Sequence, residues 1–386
     1  MNTSSIRIET CRDASVFDRI EEQYASLLGR AEWINPYFSP SWLTCWWSRQ
    51  KKDRAPLVIL ALSGENELLG YWPLVERPGL LGSKGLWPFI YDEANYHFPT
   101  CIKEAAPVLV DALHQLIGSF LFAWLPQIPK NFWDDSIDPL LQNSPNLQII
   151  RQERVSSRIE PVEGVDFETF WQEQIGSKTR KSFAYDQRAL ATQGEVVYET
   201  ASTFAEVRSV MPSTCLVEVE SSKTLENAGL YTIRGKRGFF FELLPQLAKL
   251  GEVRVSFLRV DDHPVAWQLE LLSPGHCYLH HLAFDQAWKK YSPGKQLLHH
   301  CLGRCWQEGR TFDFLPASFA YKQTYANASM PACELHWIRN SIRGRIARRL
   351  IRWNMNWRKK MRERSPGLAA SIAREEVSKA NQPDSE

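Results

Sequence analysis

Hydrophobic and polar positions follow helical and strand periods in turn along the first half of the chain. "DASVFDRIEEQYASLLGRA", "SPSWLTCWWSRQ" and "APVLVDALHQLIGSF" repeat their apolar positions every three to four residues and predict helices. Ser39 or Ser41 is a suitable cap for the second. The runs "PLVILAL", "LLGYWPLVER", "LFAWLPQ" and "LQIIRQE" predict strands. The pattern indicates an α+β unit that ends near residue 155.

The second half begins with predicted helices and continues into a predicted meander. Helix patterns in "DFETFWQEQIGSKTRKSFAYDQRAL" stop at Gly194, and the strand "EVVYET" and two more helices follow. Three antiparallel strands then turn at Asp262-His263-Pro264 and at Ser273-Pro274-Gly275. The helix "PGKQLLHHCLGRCWQEG", the strand "TFDFL", the helical turn "AYKQTYAN" and the strand "CELHWIRN" complete it. Because ligands gather beside strand-to-helix loops, we expect a crevice at "YSPGKQ".

Composition fits a folded, soluble protein. The 386 residues are 44% hydrophobic and 23% charged, which leaves room for two domains. The segment after Met1 alternates and carries charges, and no apolar run is long enough for a membrane span, so we expect a cytoplasmic protein. Eight scattered cysteines without a CxxC pair predict reduced thiols. Adjacent side chains diverge in the pairs His280-His281 and His299-His300, so we expect no metal.

Charge is distributed unevenly along the chain. The net charge is +2, whereas 339–364 holds eleven Arg and Lys against one acid, which gives +10 there and −8 in the remainder. Apolar residues recur in this segment at helical spacing: Ile342, Ile346, Leu350, Trp353, Trp357 and Met361. We therefore predict a basic amphipathic helix over 339–364 and a disordered tail over 365–386. An anionic membrane surface at the inner face of the membrane, a protein partner or the acidic body itself would suit the helix, and nucleic acid suits it less.

The order of several second-half motifs resembles a known family. They are Ala266 before an apolar run, Tyr291 to Gly294, Asp313-Phe314, Tyr321-Lys322 and the acid-rich "LVEVESSK". Together they are similar to the GNAT-like acyltransferases associated with cellulose biosynthesis (CelD/BcsL-like), which are related to the FemAB-like peptidyltransferases. The resemblance covers about residues 155 to 335, and Ser222 stands where the family usually has Trp.

This resemblance implies an α/β (α+β) fold of tandem GNAT-like domains, with mixed, mostly antiparallel sheets flanked by helices. The predicted boundaries are 1–154 and 155–338, with the basic helix and tail after them. The implied activity is transfer of an acyl group, such as acetyl, from acyl-CoA to an amine or hydroxyl. The acceptor attacks directly in a ternary complex, in polysaccharide or cell-envelope biosynthesis.

The same resemblance implies roles for individual residues. A turn and helix start would hold the acyl-CoA pyrophosphate through Ser292, Pro293, Gly294, Lys295, Gln296 and Leu297. The candidate catalytic acids and bases are Asp313, Tyr321, Lys322, Glu218 and Tyr291. Residues suited to the acceptor or to an anion are Glu220, Lys178, Arg180 and Lys181. Each also has an ordinary structural interpretation, as a turn, a packing aromatic or a solvated charge. We expect one of His280 and His281 to be buried and hydrogen-bonded rather than catalytic.

Two other functions remain open at this point. A FemAB-like transferase would take its acyl group from aminoacyl-tRNA, and the basic segments from Lys178 and 339–364 would suit that donor. A non-catalytic accessory protein would dock to a membrane or partner through the C-terminal helix.

Overall fold

The protein is described here from a computed structural model that covers residues 6–50, 54–78, 82–91, 93–141, 147–225, 229–231, 236–316 and 320–364. It contains two compact units. The first comprises 1–33, 50–153 and 333–386, and the second comprises 34–49 and 154–332. The predicted tail over 365–386 lies outside the described residues, and the predicted domain boundaries stay predictions.

The described chain folds into strands and helices whose bounds are as follows. The strands are β1 Arg7–Cys11, β2 Ala55–Leu62, β3 Leu68–Pro78, β4 Lys84–Pro88, β5 Thr100–Cys101, β6 Phe122–Pro129, β7 Leu147–Ile159, β8 Val196–Ala201, β9 Val253–Val260, β10 His263–Ser273, β11 His276–Phe284, β12 Thr311–Asp313 and β13 Ala328–Arg339. The helices are α1 Val16–Leu28, α2 Pro40–Trp47, α3 Ala105–Ile117, α4 Lys130–Phe132, α5 Asp138–Leu141, α6 Phe167–Gln174, α7 Ser177–Ala191, α8 Phe204–Val219, α9 Ser222–Leu225, α10 Lys236–Lys249, α11 Pro293–Gln307, α12 Ala320–Tyr325 and α13 Ile342–Arg364. A π-helix spans Trp133–Ile137 and a 3₁₀ helix spans Gln286–Tyr291.

The first unit is built on the strand order β1-β2-β3-β4-β6-β13, with β5 beside β3. β1 to β4 pair antiparallel, and β4 pairs parallel with β6. Leu57 to Leu62 are all buried, which explains why β2 is a continuous apolar run. The short strands β1 and β4 were not predicted, because each has few apolar positions.

The second unit is built on the strand order β7-β12-β11-β10-β9-β8. The predicted antiparallel meander is confirmed as β9, β10 and β11, next to an antiparallel β8. β12 pairs parallel with β11, and a parallel pair needs a crossover connection. The 3₁₀ helix and α11 provide that crossover, so the predicted strand-to-helix turn lies at the end of β11.

The buried faces of the second unit follow from this order. α6, α7 and α11 cover one core of Ile159, Phe170, Trp171, Leu279 and Trp306 with their neighbours. α8 begins with a capping box formed by Thr203 and Glu206, and it continues through Pro212 without a break. The sheets of both units are mixed, mostly antiparallel in their described pairs and flanked by helices, as the family resemblance implied. Across the described residues, no helix combines the length and apolar character needed to cross a membrane.

Candidate active site

The turn before α11 has a conformation that presents a helix start. Ser292 adopts a left-handed backbone with φ of 50°, and Pro293 occupies the first turn of the helix. Gly294 is buried, and a Cβ added there would lie 3.0 Å from Cδ1 of Phe284. Gln296 Nε2 donates to the backbone oxygen of Tyr291 at 2.8 Å, which fixes the loop. A side chain at position 294 would therefore press on the Phe284 ring where the loop meets β11.

The six predicted donor-binding residues divide by exposure. Pro293, Gly294, Gln296 and Leu297 are buried, Ser292 is partly buried and Lys295 is exposed. Leu297 packs in a core with Ala266 and Val265 of β10, so its contribution is structural. The backbone of the first turn and the Lys295 ammonium remain the groups suited to an anion.

Glu218 is the centre of a buried polar network near the C-terminal end of α8. Its side chain lies at 1% exposure. Oε2 is 2.9 Å from His281 Nε2 and accepts from Trp267 Nε1 at 3.2 Å, while Oε1 accepts from the Leu230 amide at 2.5 Å. Lys223 Nζ lies 3.3 Å from the other ring nitrogen of His281. The three ionisable groups therefore form a chain Lys223–His281–Glu218.

The charges within this chain follow from burial and contact. Burial, helped by the charge of Lys223, lowers the pKa of His281 to about 4 although Glu218 opposes the shift. Burial raises the pKa of Glu218. The hydrogen bond with His281, the charge of His281 and the hydrogen bond from the Leu230 amide outweigh burial, so the pKa of Glu218 is lowered overall. At neutral pH we therefore assign a neutral imidazole whose Nε2–H donates to an ionised carboxylate. The Nδ1 lone pair then faces Lys223.

A β-bulge places both histidines of the pair on this side of the sheet. Leu269 pairs with His281 and Glu270 pairs with Leu279, so His280 is the extra residue in β11. The His280 ring lies among Tyr37, Trp42 and Phe240, with the Tyr37 hydroxyl 3.3 Å from Nδ1. Both imidazoles consequently contact helices α2, α8 or α10. His281 is buried and hydrogen-bonded, as expected. The expectation that this histidine is not catalytic stays a prediction, and the proposed base role of His281 departs from it.

Asp313 and Lys322 form a second polar group in the same unit. Asp313 is fully buried and accepts from Arg158 Nε at 2.9 Å, from the Leu315 amide at 2.7 Å and from the Ser156 hydroxyl. Phe312 and Phe314 lie on the opposite, core-facing side, as strand alternation predicted. These contacts place Asp313 in a buried ion pair with Arg158, and its role as a base stays a prediction.

Lys322 is buried at 6% exposure and donates to the Phe314 oxygen at 2.5 Å. Burial lowers its pKa to about 8, with Asp313 opposing the shift and Lys223 adding to it. The charge of Lys223 thus acts on both His281 and Lys322, which connects the two polar groups electrostatically.

Six predicted residues remain: Tyr291, Tyr321, Glu220, Lys178, Arg180 and Lys181. Tyr291 packs against Trp288 at 5.8 Å between ring centroids. The side chain of Tyr321 lies outside the described residues, although its backbone belongs to α12. Arg180 donates to the Gln172 oxygen, whereas the exposed predicted residues are Glu220, Lys178 and Lys181.

One group of possible metal ligands occurs among the described residues. Donor atoms of Glu270, Cys277 and Cys305 all lie within 4.8 Å of one another. Glu270 also accepts from Arg304 Nη2 at 2.5 Å and from Gln268 Nε2 at 2.7 Å. Because a guanidinium already balances this carboxylate, the group fits a buried ion pair better than a cation site. The expectation of no metal stays a prediction.

Sequence reasoning missed Lys223 and Trp267. Lys223 follows Ser222 in the short helix α9, and Trp267 stacks on Tyr231 at 5.9 Å. The acid-rich motif "LVEVESSK" ends at Lys223, so the signal was present in the sequence. The link to His281, 58 residues later, depends on the fold.

The part of the chain that contains this site is similar to a known protein family. Residues 177–323 match a family model described as an acetyltransferase (GNAT) domain. This part of the chain is therefore a GNAT-like domain. That GNAT domain runs from α7 into α12 and includes Glu218, Lys223 and His281 together with the turn before α11.

Solved structures extend the similarity in fold beyond the GNAT domain. The structure of FemX is similar with a TM-score of 0.56 at 11% identity, over 86% of this chain and 98% of that chain. The C-terminal domain of a protein described as a lysylphosphatidylglycerol synthetase from Agrobacterium fabrum has a TM-score of 0.52 at 12% identity, over 86% and 95%. No curated protein matches the chain. These two similarities are similarities of fold, and the assignment to the cellulose-biosynthesis family stays a prediction.

Proposed function

We propose that the GNAT domain transfers an acyl group from acyl-CoA to an amine of an acceptor, by direct attack on the thioester. The chain Lys223–His281–Glu218 carries this proposal, because it joins a partly buried cation to a neutral imidazole and a buried carboxylate. A general base needs a lone pair that can take the proton, here by way of Lys223, and a partner that stabilises its protonated form. Nδ1 of His281 and the carboxylate of Glu218 meet these two requirements.

The proton transfers balance around these groups. The acceptor nitrogen forms a bond to the acyl carbon, and the carbon–sulfur bond breaks. The acceptor proton passes to Lys223, which gives one of its own protons to His281 Nδ1, so that Lys223 ends as it began. Glu218 stabilises the resulting imidazolium at 2.9 Å. Lys322, whose pKa is about 8, matches a leaving thiolate as its proton donor.

The donor half of the proposal uses the start of α11. The helix dipole, the first-turn backbone and the exposed Lys295 suit a pyrophosphate. Gly294 allows this turn to lie against Phe284, so that a larger side chain would move the helix start. The resemblance of the motifs leads us to expect the acceptor in polysaccharide or cell-envelope synthesis.

Calorimetry with acetyl-CoA and longer acyl-CoAs tests the donor, with free CoA as the comparison. We expect saturable binding that Gly294→Trp and Lys295→Glu weaken, while Lys103→Met, an exposed lysine in the first unit, leaves it unchanged. Lys223→Met should keep binding and lose turnover. Full acyl-CoA turnover in Gly294→Trp would exclude the donor site, and full turnover in Lys223→Met would exclude the proton path.

An aminoacyl-tRNA donor is the second candidate, because α7 exposes Lys178, Lys181 and Arg188 on one basic helix. FemX and the lysylphosphatidylglycerol synthetase domain share the fold, which is consistent with aminoacyl transfer. Under this alternative, tRNA would bind with strong salt dependence, and Lys178→Ser with Lys181→Ser would reduce the slope by about two phosphate contacts. If the protein binds acyl-CoA but binds tRNA weakly or without salt dependence, the tRNA alternative is excluded and acyl-CoA remains the proposed donor.

A further inference from the structure

Among its described side chains, helix α13 packs on the first unit through the face that carries Ala347 and Ile351. Ala347 is fully buried and belongs to a core with Leu121, Phe122 and Ile338, to which Ile351 adds contacts. The N-terminus of the helix is fixed by Ser341, whose hydroxyl accepts from the Gly344 amide at 3.0 Å. A Cβ at Gly344 would collide with the backbone oxygen of Arg339, so glycine is needed for the helix to leave β13 at this angle.

A second apolar stripe of the same helix is exposed. It consists of Ile342, Ile346, Leu350, Trp353 and Trp357, which are spaced by four, four, three and four residues. At 100° per residue these side chains fall within one sector of the helix, away from Ala347 and Ile351. Ile342 is 72% exposed and Trp353 is 68% exposed. The stripe is about 22 Å long at a rise of 1.5 Å per residue.

Exposed arginines border this stripe on both sides. Arg345, Arg349 and Arg352 lie along one edge of the sector, and Arg343 lies along the other. No acidic residue occurs between Ile342 and Trp357. The exposed face is therefore apolar along its centre and cationic along its edges.

We propose that this face of α13 docks the protein on an anionic lipid bilayer, with the helix lying in the interfacial plane. Tryptophan rings favour the headgroup boundary, isoleucine and leucine enter the acyl region, and the flanking guanidinium groups meet anionic headgroups. The helix is too basic to cross the bilayer, in agreement with the absence of a spanning helix among the described residues.

The charge and apolar character of this face favour an anionic bilayer over a second copy of the chain or a polyanion. A second copy seated on the same face would bring two rows of arginines together, which repel. A polyanion without an apolar surface would contact the arginines and leave the exposed tryptophans in water. An anionic bilayer provides acyl chains for the apolar centre of the face and anionic headgroups for its cationic edges. This inference does not depend on the proposed transferase activity.

Flotation of the full chain with vesicles tests the surface. We expect binding to vesicles of phosphatidylcholine with phosphatidylglycerol, and no binding to phosphatidylcholine alone. Trp353→Ala with Trp357→Ala should weaken the binding at least about tenfold. Arg349→Ser with Arg352→Ser should weaken it roughly 30-fold, from about fivefold for each cationic side chain near an anionic surface. Leu250→Ser, an exposed apolar position in the second unit, is the matched control and should bind as the unaltered chain does.

Because the substituted residues are exposed, the variants should keep the fold, and their midpoints of thermal unfolding should equal that of the unaltered chain. Equal binding to both vesicle types would overturn the proposal. So would full vesicle binding by the double tryptophan variant, or single-stranded RNA binding as tight as vesicle binding and insensitive to the tryptophans. Concentration-dependent dimerisation abolished by the tryptophan substitutions would also overturn it, in favour of a second copy.

Discussion

His281 Nε2 lies 2.9 Å from Glu218 Oε2, so a neutral imidazole and a buried carboxylate share one hydrogen bond in the interior of the GNAT domain. In Glu218→Gln the amide oxygen can still accept from the Leu230 amide, but the charge that stabilises a protonated His281 is lost. We expect kcat to fall about 100-fold or more while acyl-CoA affinity stays the same. Steady-state thiol release and calorimetry measure the two quantities.

A double variant separates a proton path from simple damage to the core. His281→Gln should lower kcat by a similar factor, and Glu218→Gln with His281→Gln should be no worse than either alone, because the pair acts as one unit. Additive losses would mean that the two residues act independently.

Stability should fall in mildly acidic solution because of buried neutral histidines. Burial lowers the pKa of His281 to about 4 and that of His97 to about 3, from an ordinary 6.5. Between those values the unfolded chain binds more protons than the folded one, so the free energy of unfolding decreases as pH falls below 6.5. Urea unfolding across this range should show a shallower pH slope in His97→Gln with turnover intact. His263→Gln, at an exposed histidine, should keep the full slope.

Asp313→Asn should destabilise the fold by about 3–5 kcal/mol, because it leaves the Arg158 guanidinium buried without its carboxylate. Glu199→Gln breaks the Arg259 pair at the surface and should cost less than about 1 kcal/mol. Denaturant midpoints compare the two. A normal midpoint for Asp313→Asn together with a large loss of kcat would instead support the catalytic role predicted from the motif.

Lys322 should make stability rise with pH in alkaline solution. Its pKa is lowered from 10.5 to about 8 in the folded chain, so the unfolded chain binds more protons between those values. The free energy of unfolding therefore increases as pH rises from about 8 to 10.5, and this increase should disappear in Lys322→Met. Chemical denaturation across this range measures it, and an unchanged pH profile in the variant would contradict the assigned burial.

Gly294→Ala should weaken acyl-CoA binding, since the added methyl group would lie 3.0 Å from the Phe284 ring and displace the start of α11. Gly176→Ala, where a Cβ has open space, is the matched control and should bind normally. Equal affinities in the two variants would show that the turn does not position the donor.

Much of the second unit could be predicted from the sequence because its signals are local. The turns that separate β9, β10 and β11 lie at Asp261-Asp262 and Pro274-Gly275, within two residues of the predicted ones, and the Ser-Pro-Gly turn marks the start of α11. Ser39 precedes α2 as expected. These patterns depend on neighbouring residues alone, and the matching family model covers the same region.

The site itself could be predicted only in part, because its contacts span long stretches of chain. Glu218 was a candidate, but its partners His281 and Trp267 are 63 and 49 residues away. Strict alternation predicts that adjacent histidines face opposite sides, and the bulge at His280 cancels that rule locally. Asp313 was a candidate base from its motif, and only the fold revealed Arg158, 155 residues earlier, as its partner.

The extra residue in β11 lets this strand change its length at one point without changing its faces. Leu279 pairs with Glu270 and His281 pairs with Leu269, which are neighbours on β10, so deleting His280 would restore a regular ladder and leave both side chains on their present faces. The deletion would remove only the His280 ring from its place beside Tyr37, Trp42 and Phe240. An insertion or deletion elsewhere in β11 would instead turn the residues beyond it to the opposite face. Homologous chains that keep this chemistry should therefore vary in length at the bulge rather than elsewhere in the strand.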